Sequence, residues 1–320
     1  MRINAERRQK TRKESGRWGT RAGYLAYTLF AAAITLWLLF PAESVQRLLV
    51  RSLGGLVPGV EWRIGSVKWR LPLILRVENV AGYMEPDSKT PSLLIDRLDI
   101  RPAWRTSFRE QALWASYRLQ IASGVIDGRL GRQAQKQGYT LHGTARSVQV
   151  ASIPLLAKRL GRNLQGTISA AYEARGCPGA GTPCQWKVQC KLEQGRLALV
   201  RPVLQQTALP FSLVSMLLRG AGREMTIAEG KIVSPLGNGW FNGTVLLEAD
   251  PIQSRLKLRG GFHPQPAFFE GIENTVALQS VRIELQEQPL PFSLSGTLLH
   301  PGIHFEHLAM QMNALEKEMR

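Results

Sequence analysis

The residues best able to do chemistry stand near the C-terminus, in His300-Pro301-Gly302-Ile303-His304-Phe305-Glu306-His307. Two or three imidazoles with a carboxylate can hold Zn²⁺ when their side chains converge. On a strand His304 and Glu306 share a face and His307 points away from it. Pro301-Gly302 breaks any helix that would align His300 with them. The histidines are therefore expected to be solvated loop residues, with no metal and no other cofactor. No nucleophile elbow, phosphate-binding loop or zinc-protease helix motif occurs. The pair Gly237-Asn238-Gly239 is followed by Trp240 and a strand pattern, so it reads as a hairpin turn. No enzyme is expected from these residues.

Three cysteines in 320 residues do not make a disulfide scaffold, but they cluster at Cys177, Cys184 and Cys190. Cys177 and Cys184 flank a Pro- and Gly-rich stretch. A bridge between them would close a short loop and contribute roughly 2–3 kcal/mol in the loop-entropy description. It requires an oxidising compartment. Cys190 alternates in step with Trp186, Val188 and Leu192, against Gln185, Lys187, Gln189 and Lys191, and reads as a small core residue.

The elements that would position these residues begin with the N-terminus. The chain carries a net charge of +17. Eight basic residues precede position 22, namely Arg2, Arg7, Arg8, Lys10, Arg12, Lys13, Arg17 and Arg21, opposed there only by Glu6 and Glu14. Residues 22–40, from Ala22 to Phe40, carry no charge. As a helix they would span roughly 28 Å, close to the hydrocarbon thickness of a bilayer. Tyr24, Tyr27 and Trp37 lie towards the ends, where amphipathic rings favour the interface. Only Arg47 and Arg51 follow closely, so the positive-inside rule keeps the tail cytoplasmic and exports the rest. The expected organisation is a basic cytoplasmic tail over 1–21, a transmembrane helix over 22–40 and a periplasmic β-rich domain over 41–320. Beside a spanning segment the basic tail is explained by topology and anionic lipid, and no nucleic-acid partner is expected.

After residue 41 a short amphipathic helix carries Val45, Leu48, Leu49 and Leu53, with Gly54-Gly55 and Pro58-Gly59 as its stop. The period then changes to two. Strands are expected around Trp62 and Ile64, as one run over 71–77, over 93–101 and over 117–121. Gly-centred turns are expected at Gly124–Gly128, Gly195–Leu197 and Gly230–Ile232. An apolar-x-Gly-Thr element recurs at Gly143-Thr144, Gly166-Thr167, Gly243-Thr244 and Gly296-Thr297. Its spacing is too irregular for a solenoid and fits a long meander. Leu256 and Leu258 alternate with three cations, and Val281, Ile283 and Leu285 with Arg282, Glu284 and Gln286, giving a sheet with one apolar face. Helical insertions over about 153–160 and 211–219 are expected to cover that face. A last amphipathic helix is expected over 308–320. The fold class is thus mostly β: an N-terminal transmembrane helix followed by a long antiparallel, twisted, groove-like β-meander with a few short helices.

Several segments together carry a family resemblance. They are the anchor with Phe40-Pro41-Ala42-Glu43, then Leu56-Val57-Pro58-Gly59-Val60, Leu98-Asp99-Ile100-Arg101-Pro102, Ile153-Pro154-Leu155-Leu156, the Gly-Thr elements, and the stretch from Asp250 to Leu256. Nearly the whole exported part resembles the general secretion pathway protein N family (GspN) of type II secretion systems, and more broadly the AsmA-like periplasmic β-rich proteins. The resemblance implies a single-pass inner-membrane accessory subunit acting through protein contacts with other secretion-system subunits. The alternative it implies is a lipid-handling module whose apolar face takes phospholipid. The Cys177–Cys190 insertion has no counterpart in that pattern. Alkaline phosphatase fused after Arg320 is expected to be active in cells. An inactive fusion, or a mature N-terminus near Pro41, would contradict a retained anchor with an exported C-terminus.

Overall fold

The computed structural model describes residues 23–28, 31–32, 34–35, 41–56, 59–70, 73–84, 90–121, 123–133, 138–160, 163–177, 184–203, 206–248, 250–269 and 289–305. Among the described residues, fourteen strands form one antiparallel sheet in sequence order. They are β1 (Glu61–Arg70), β2 (Ile74–Tyr83), β3 (Leu93–Pro102), β4 (Ala112–Ile121), β5 (Gly124–Gln133), β6 (Tyr139–Gln149), β7 (Leu164–Cys177), β8 (Gln185–Val203), β9 (Gln206–Ala221), β10 (Glu224–Ser234), β11 (Gly237–Leu246), β12 (Arg255–Pro264), β13 (Leu290–Thr297) and β14 (Pro301–Phe305). Among the described residues from 41 onward, the α-helices that accompany them are α1 (Ala42–Leu56), α2 (Trp104–Glu110) and α3 (Pro154–Leu160). The long antiparallel meander with few short helices is as the sequence indicates.

Several local expectations are corrected. Gly54 and Gly55 fall in the last turn of α1, which stops at Leu56, between the two expected stop signals. The run over 71–77 is interrupted at Leu73, which takes the left-handed conformation (φ 57°), and β2 starts after it. The glycines at 124–128, 195 and 230 sit within β5, β8 and β10, not in turns. The segment 211–219 is part of β9 and is not a helix. Its Phe211 and Val214 lie three residues apart yet pack into the same cluster. Opposite them Gln194 is left-handed (φ 48°). The strand alternation slips there by one residue, and a slipped strand imitates the spacing of a helix.

The same slip recurs across the sheet. Asn79 (φ 56°) separates the buried Val77 and Val80, and Ser147 (φ 54°) separates Ala145 and Val148. Between Ile227 and Gly230 the register shifts against both neighbouring strands. Each break returns the next apolar residue to the same face, and where the register shifts the bulge adds local twist.

The glycines inside strands have a packing reason. The glycines at 128, 131, 143, 195, 220, 230, 260 and 261 are among those that pair directly with an aromatic residue on the adjacent strand. The partners are Tyr117, Trp114, Tyr172, Phe211, Trp186, Phe241, Phe292 and Trp240 respectively. A Cβ at any of these glycines would lie under 3.0 Å from that aromatic side chain. The ring therefore lies down over the bare backbone and supplies the cover that the glycine lacks.

The opposite face carries alternating charge. Across β2 to β5 the paired residues run Arg76, Asp99, Arg118, Asp127. Arg76 grips Asp99 with two hydrogen bonds of 2.7 and 3.0 Å, and both side chains are buried. Arg97 adds a 2.8 Å bond to Asp99. Asp127 accepts from Arg118 at 2.6 Å and from Arg146 at 2.5 Å, and these two cations hold its carboxyl below the usual range.

Among the described residues no helix is long and apolar enough to cross a membrane. Within 22–40 the described residues are helical, and Tyr24, Leu25, Tyr27 and Ile34 are exposed. Ala22, Trp37 and Phe40 lie outside the described residues, as does the expected helix over 308–320. Replacing Gly220 by Ala is expected to destabilise the fold by about 1–3 kcal/mol through overpacking against Trp186. Adding Trp186→Leu in the same chain should recover part of that loss. Urea unfolding of wild type, single and double variants measures both effects.

Candidate functional site: the apolar face of the sheet

Directly paired residues on neighbouring strands lie on one face, so the register can be followed strand by strand. One complete row reads Trp69, Leu75, Ile100, Tyr117, Gly128, Gly143, Tyr172, Val188, Leu218, Ile227, Gly243, Leu258, Leu294 and Ile303. It crosses all fourteen strands without a charged residue. A second complete row runs beside it from Val67 through Val77, Leu98, Leu119 and Ile126 to Cys190, Met216, Phe241, Phe292 and Phe305. A third, from Pro102 to Pro301, contains Leu130, Leu141, Trp186, Met225, Val245 and Leu256. At about 4.8 Å between strands the rows are roughly 60 Å long.

Coverage of this face differs along its length. At the β1 end Val45, Leu49, Val50 and Leu53 of α1, with Leu155 and Leu156 of α3, pack on a cluster containing Trp62, Ile64, Val67, Val77, Val80 and Ile95. The Gln46 amide of α1 also donates to the Ile64 carbonyl at 2.9 Å, tying the helix to the outermost strand. Towards β14 a second cluster centres on Ile227, Val245 and Leu256, with Leu247 and Leu298 packed against it. Between them Tyr117, Leu141, Tyr172, Trp186, Val188, Cys190 and Met216 are only half-buried, and Leu130 is exposed. The expectation of a helical lid over 211–219 therefore fails, because that segment belongs to the sheet.

Of the residues expected on the apolar face, Leu256 is buried and Leu258 half-buried, while the alternating Arg255, Lys257 and Arg259 are exposed. Val281, Ile283 and Leu285 lie outside the described residues. Cys184 is disulfide-bonded and Cys190 carries a free thiol; the side chain of Cys177 lies outside the described residues. Cys190 shares its row with Ala170 and Met216, and burial pushes its thiol up. His300 and His304 are exposed, and His307 lies outside the described residues. Among the described residues no three potential metal ligands gather.

Two features escaped the sequence reading. Tyr117 and Tyr172 place their hydroxyls 2.5 Å apart. They stand 55 residues apart in the chain, and only the register of four strands brings them together. The other feature is α2, which had no periodic signal because it spans 7 residues. It exposes Trp104 (53%) and Phe108 (82%), and Leu113 just beyond it is 79% exposed. Arg105 and Arg109 flank the two rings and are exposed as well. The helix is fixed at both ends. The Ala103 amide donates to the Trp114 carbonyl at 2.8 Å, and the Trp114 amide donates to the Ser107 hydroxyl at 2.9 Å. Gln111 closes it in the left-handed conformation.

The polar face has depressions of its own. One of about 590 Å³ is lined by Glu173, Arg175, Lys187, Arg219 and Glu224 among others. Another of about 500 Å³ includes Arg101, Arg118, Asp127, Arg129 and Arg146. Comparison of the chain with protein-family models, with characterised proteins and with solved structures found no match.

The raised thiol of Cys190 has a direct consequence. Maleimide reacts with the thiolate, so labelling of Cys190 at pH 8 is expected to be slower than that of an ordinary cysteine. Its rate should keep rising above the usual thiol range of about 8.5. Linkage has the same sign: the unfolded thiol ionises first, so this group leaves stability unchanged below about 8.5 and lowers it as pH rises towards the folded value. Rates between pH 7 and 10, with Cys190→Ser as the blank, measure the effect.

Proposed function

We propose that this chain is a non-enzymatic, single-pass inner-membrane accessory component of a type II secretion system, working through contacts of its periplasmic sheet with other subunits. The α2 patch carries this reading. Trp and Arg are over-represented among residues that dominate binding energy, and such residues act best on rigidly held elements. Trp104, Phe108 and Leu113 expose large apolar side chains on a helix pinned to the sheet, with Arg105 and Arg109 beside them. The apolar, uncharged segment 22–40 behind a basic tail supports anchoring in the inner membrane, and the family resemblance supplies the machine.

A second reading rests on the half-buried middle of the apolar face. An uncovered apolar surface crossing many strands is an association hazard unless something occupies it. The acyl chain of a lipid fits a charge-free row. The covered end of the face abuts α1, which directly follows the proposed anchor, so the face starts near the membrane that would supply the lipid.

Phe108→Asp separates the two. It adds a charge to an exposed position, so folding and abundance should stay within the usual narrow range for surface changes. Under the secretion reading it is expected to lower export of type II substrates at least tenfold and to abolish site-specific photocrosslinks from position 104 to secretion subunits. Unchanged export and crosslinking would remove that reading and leave lipid handling as the function.

A further inference from the structure

The register rows of the apolar face carry two hydroxyls, and the two meet. Tyr117 on β4 and Tyr172 on β7 occupy one row, separated by Gly128 and Gly143 on β5 and β6. Neither glycine has a Cβ, so each phenol ring can lie inward over its neighbour, and the hydroxyl oxygens come to 2.5 Å. The flanking positions on β5 to β7 are Ile126, Ala145 and Ala170 on one side and Leu130, Leu141 and Ala174 on the other. The hydroxyl pair is thus the polar point of an apolar, half-buried row, with the Asp127 carboxylate of the opposite face near enough to act on Tyr172 electrostatically.

Its hydrogen-bonding capacity is defined. Two phenols hold two protons, and one proton serves the bond between them. The other O–H remains a donor, directed from a neutral group, because burial pushes both phenols above the ordinary tyrosine range. A neutral donor among aliphatic side chains discriminates by chemistry. It rewards an acceptor oxygen, gives nothing to plain hydrocarbon, and offers a cation no counter-charge.

We propose that the Tyr117–Tyr172 pair is the recognition point of the apolar face, donating a hydrogen bond to the carboxyl or ester carbonyl oxygen of an acyl lipid whose chain lies along the rows. This rests on the acyl-chain reading of that face. A fatty acid and a phospholipid ester present the same acceptor, and the choice between them is experimental.

Cys190 supplies the readout, since its row adjoins that of the tyrosines and its thiol is free. Full-length protein in nanodiscs of a lipid lacking ester carbonyls would be labelled with maleimide. The labelling would be repeated with oleate, with dioleoyl phosphatidylethanolamine and with 1-octadecene as protecting ligands. At least one of the two oxygen-bearing ligands is expected to protect at about tenfold lower concentration than octadecene, the worth of a single hydrogen bond. In Tyr117→Phe/Tyr172→Phe that advantage should vanish while octadecene protects as before, which also shows that the variant face is intact. Tyr117→Phe alone serves if the double variant does not fold. Tyrosine-dependent gain with oleate only, or with phosphatidylethanolamine only, assigns the ligand and supports the proposal. An oxygen-bearing ligand that keeps its full advantage in the variants, or none that gains over octadecene in wild type, overturns it while leaving the acyl-chain reading in place. Absence of protection by all three ligands overturns both.

Discussion

Everything else in this molecule depends on one constraint: a single sheet of fourteen strands must keep the same face apolar from its first strand to its last. No second sheet lies over it among the described residues. Continuity is maintained by register, and register is maintained by local devices. Aromatic residues lie over glycines directly opposite them, as Trp186 does over Gly220 and Phe241 over Gly230. Left-handed residues at Asn79, Ser147 and Gln194 reset the alternation before it drifts out of phase. A shift of one residue in any strand would turn its apolar set towards solvent and separate each ring from its glycine.

The charged face contributes to the same end by a different interaction. Asp99 sits between Arg76 and Arg97, and Asp127 between Arg118 and Arg146. A slip of β2 against β3 would leave Arg76 buried without its carboxylate, and an orphaned buried charge costs about 3–5 kcal/mol. The exposed pairs around Asp127 contribute far less to stability, because solvent screens them. They do fix guanidinium groups in place across three strands. The two faces thus enforce one register, one through shape and the other through charge.

Coverage then divides the apolar face into parts with different roles. Where α1 and α3 pack on β1 to β6, the face is a core. Where Ile227, Val245 and Leu256 gather, it is again a core. The interval around Tyr172, Val188 and Cys190 is half-open and contains the only hydroxyl pair on the register rows. The α2 patch lies apart from this interval, on a connection between strand ends. The patch proposed for protein contact and the interval proposed for lipid are therefore separate surfaces of one molecule.

The sequence by itself determined the meander. Alternation in Gln185 to Leu192 and in Arg255 to Arg259 fixes which side chains face inward, because a strand has a period of two wherever it is regular. It also determined the uncharged segment behind a basic tail, and the short α3 after Ile153. What it misread shares one cause. The glycines at 128, 195 and 230 look like turns, because glycine's usual reason for being in a sequence is local conformation, whereas here the reason is a ring on another strand. The segment 211–219 looks like a helix, because a bulge converts alternation into spacings of three. Neither the ring nor the bulge has a signature within the strand that contains the misread residue. The meeting of Tyr117 with Tyr172 and the exposure of Phe108 were decided only by tertiary structure, since each depends on which strands stand beside one another and on what is left uncovered when they do.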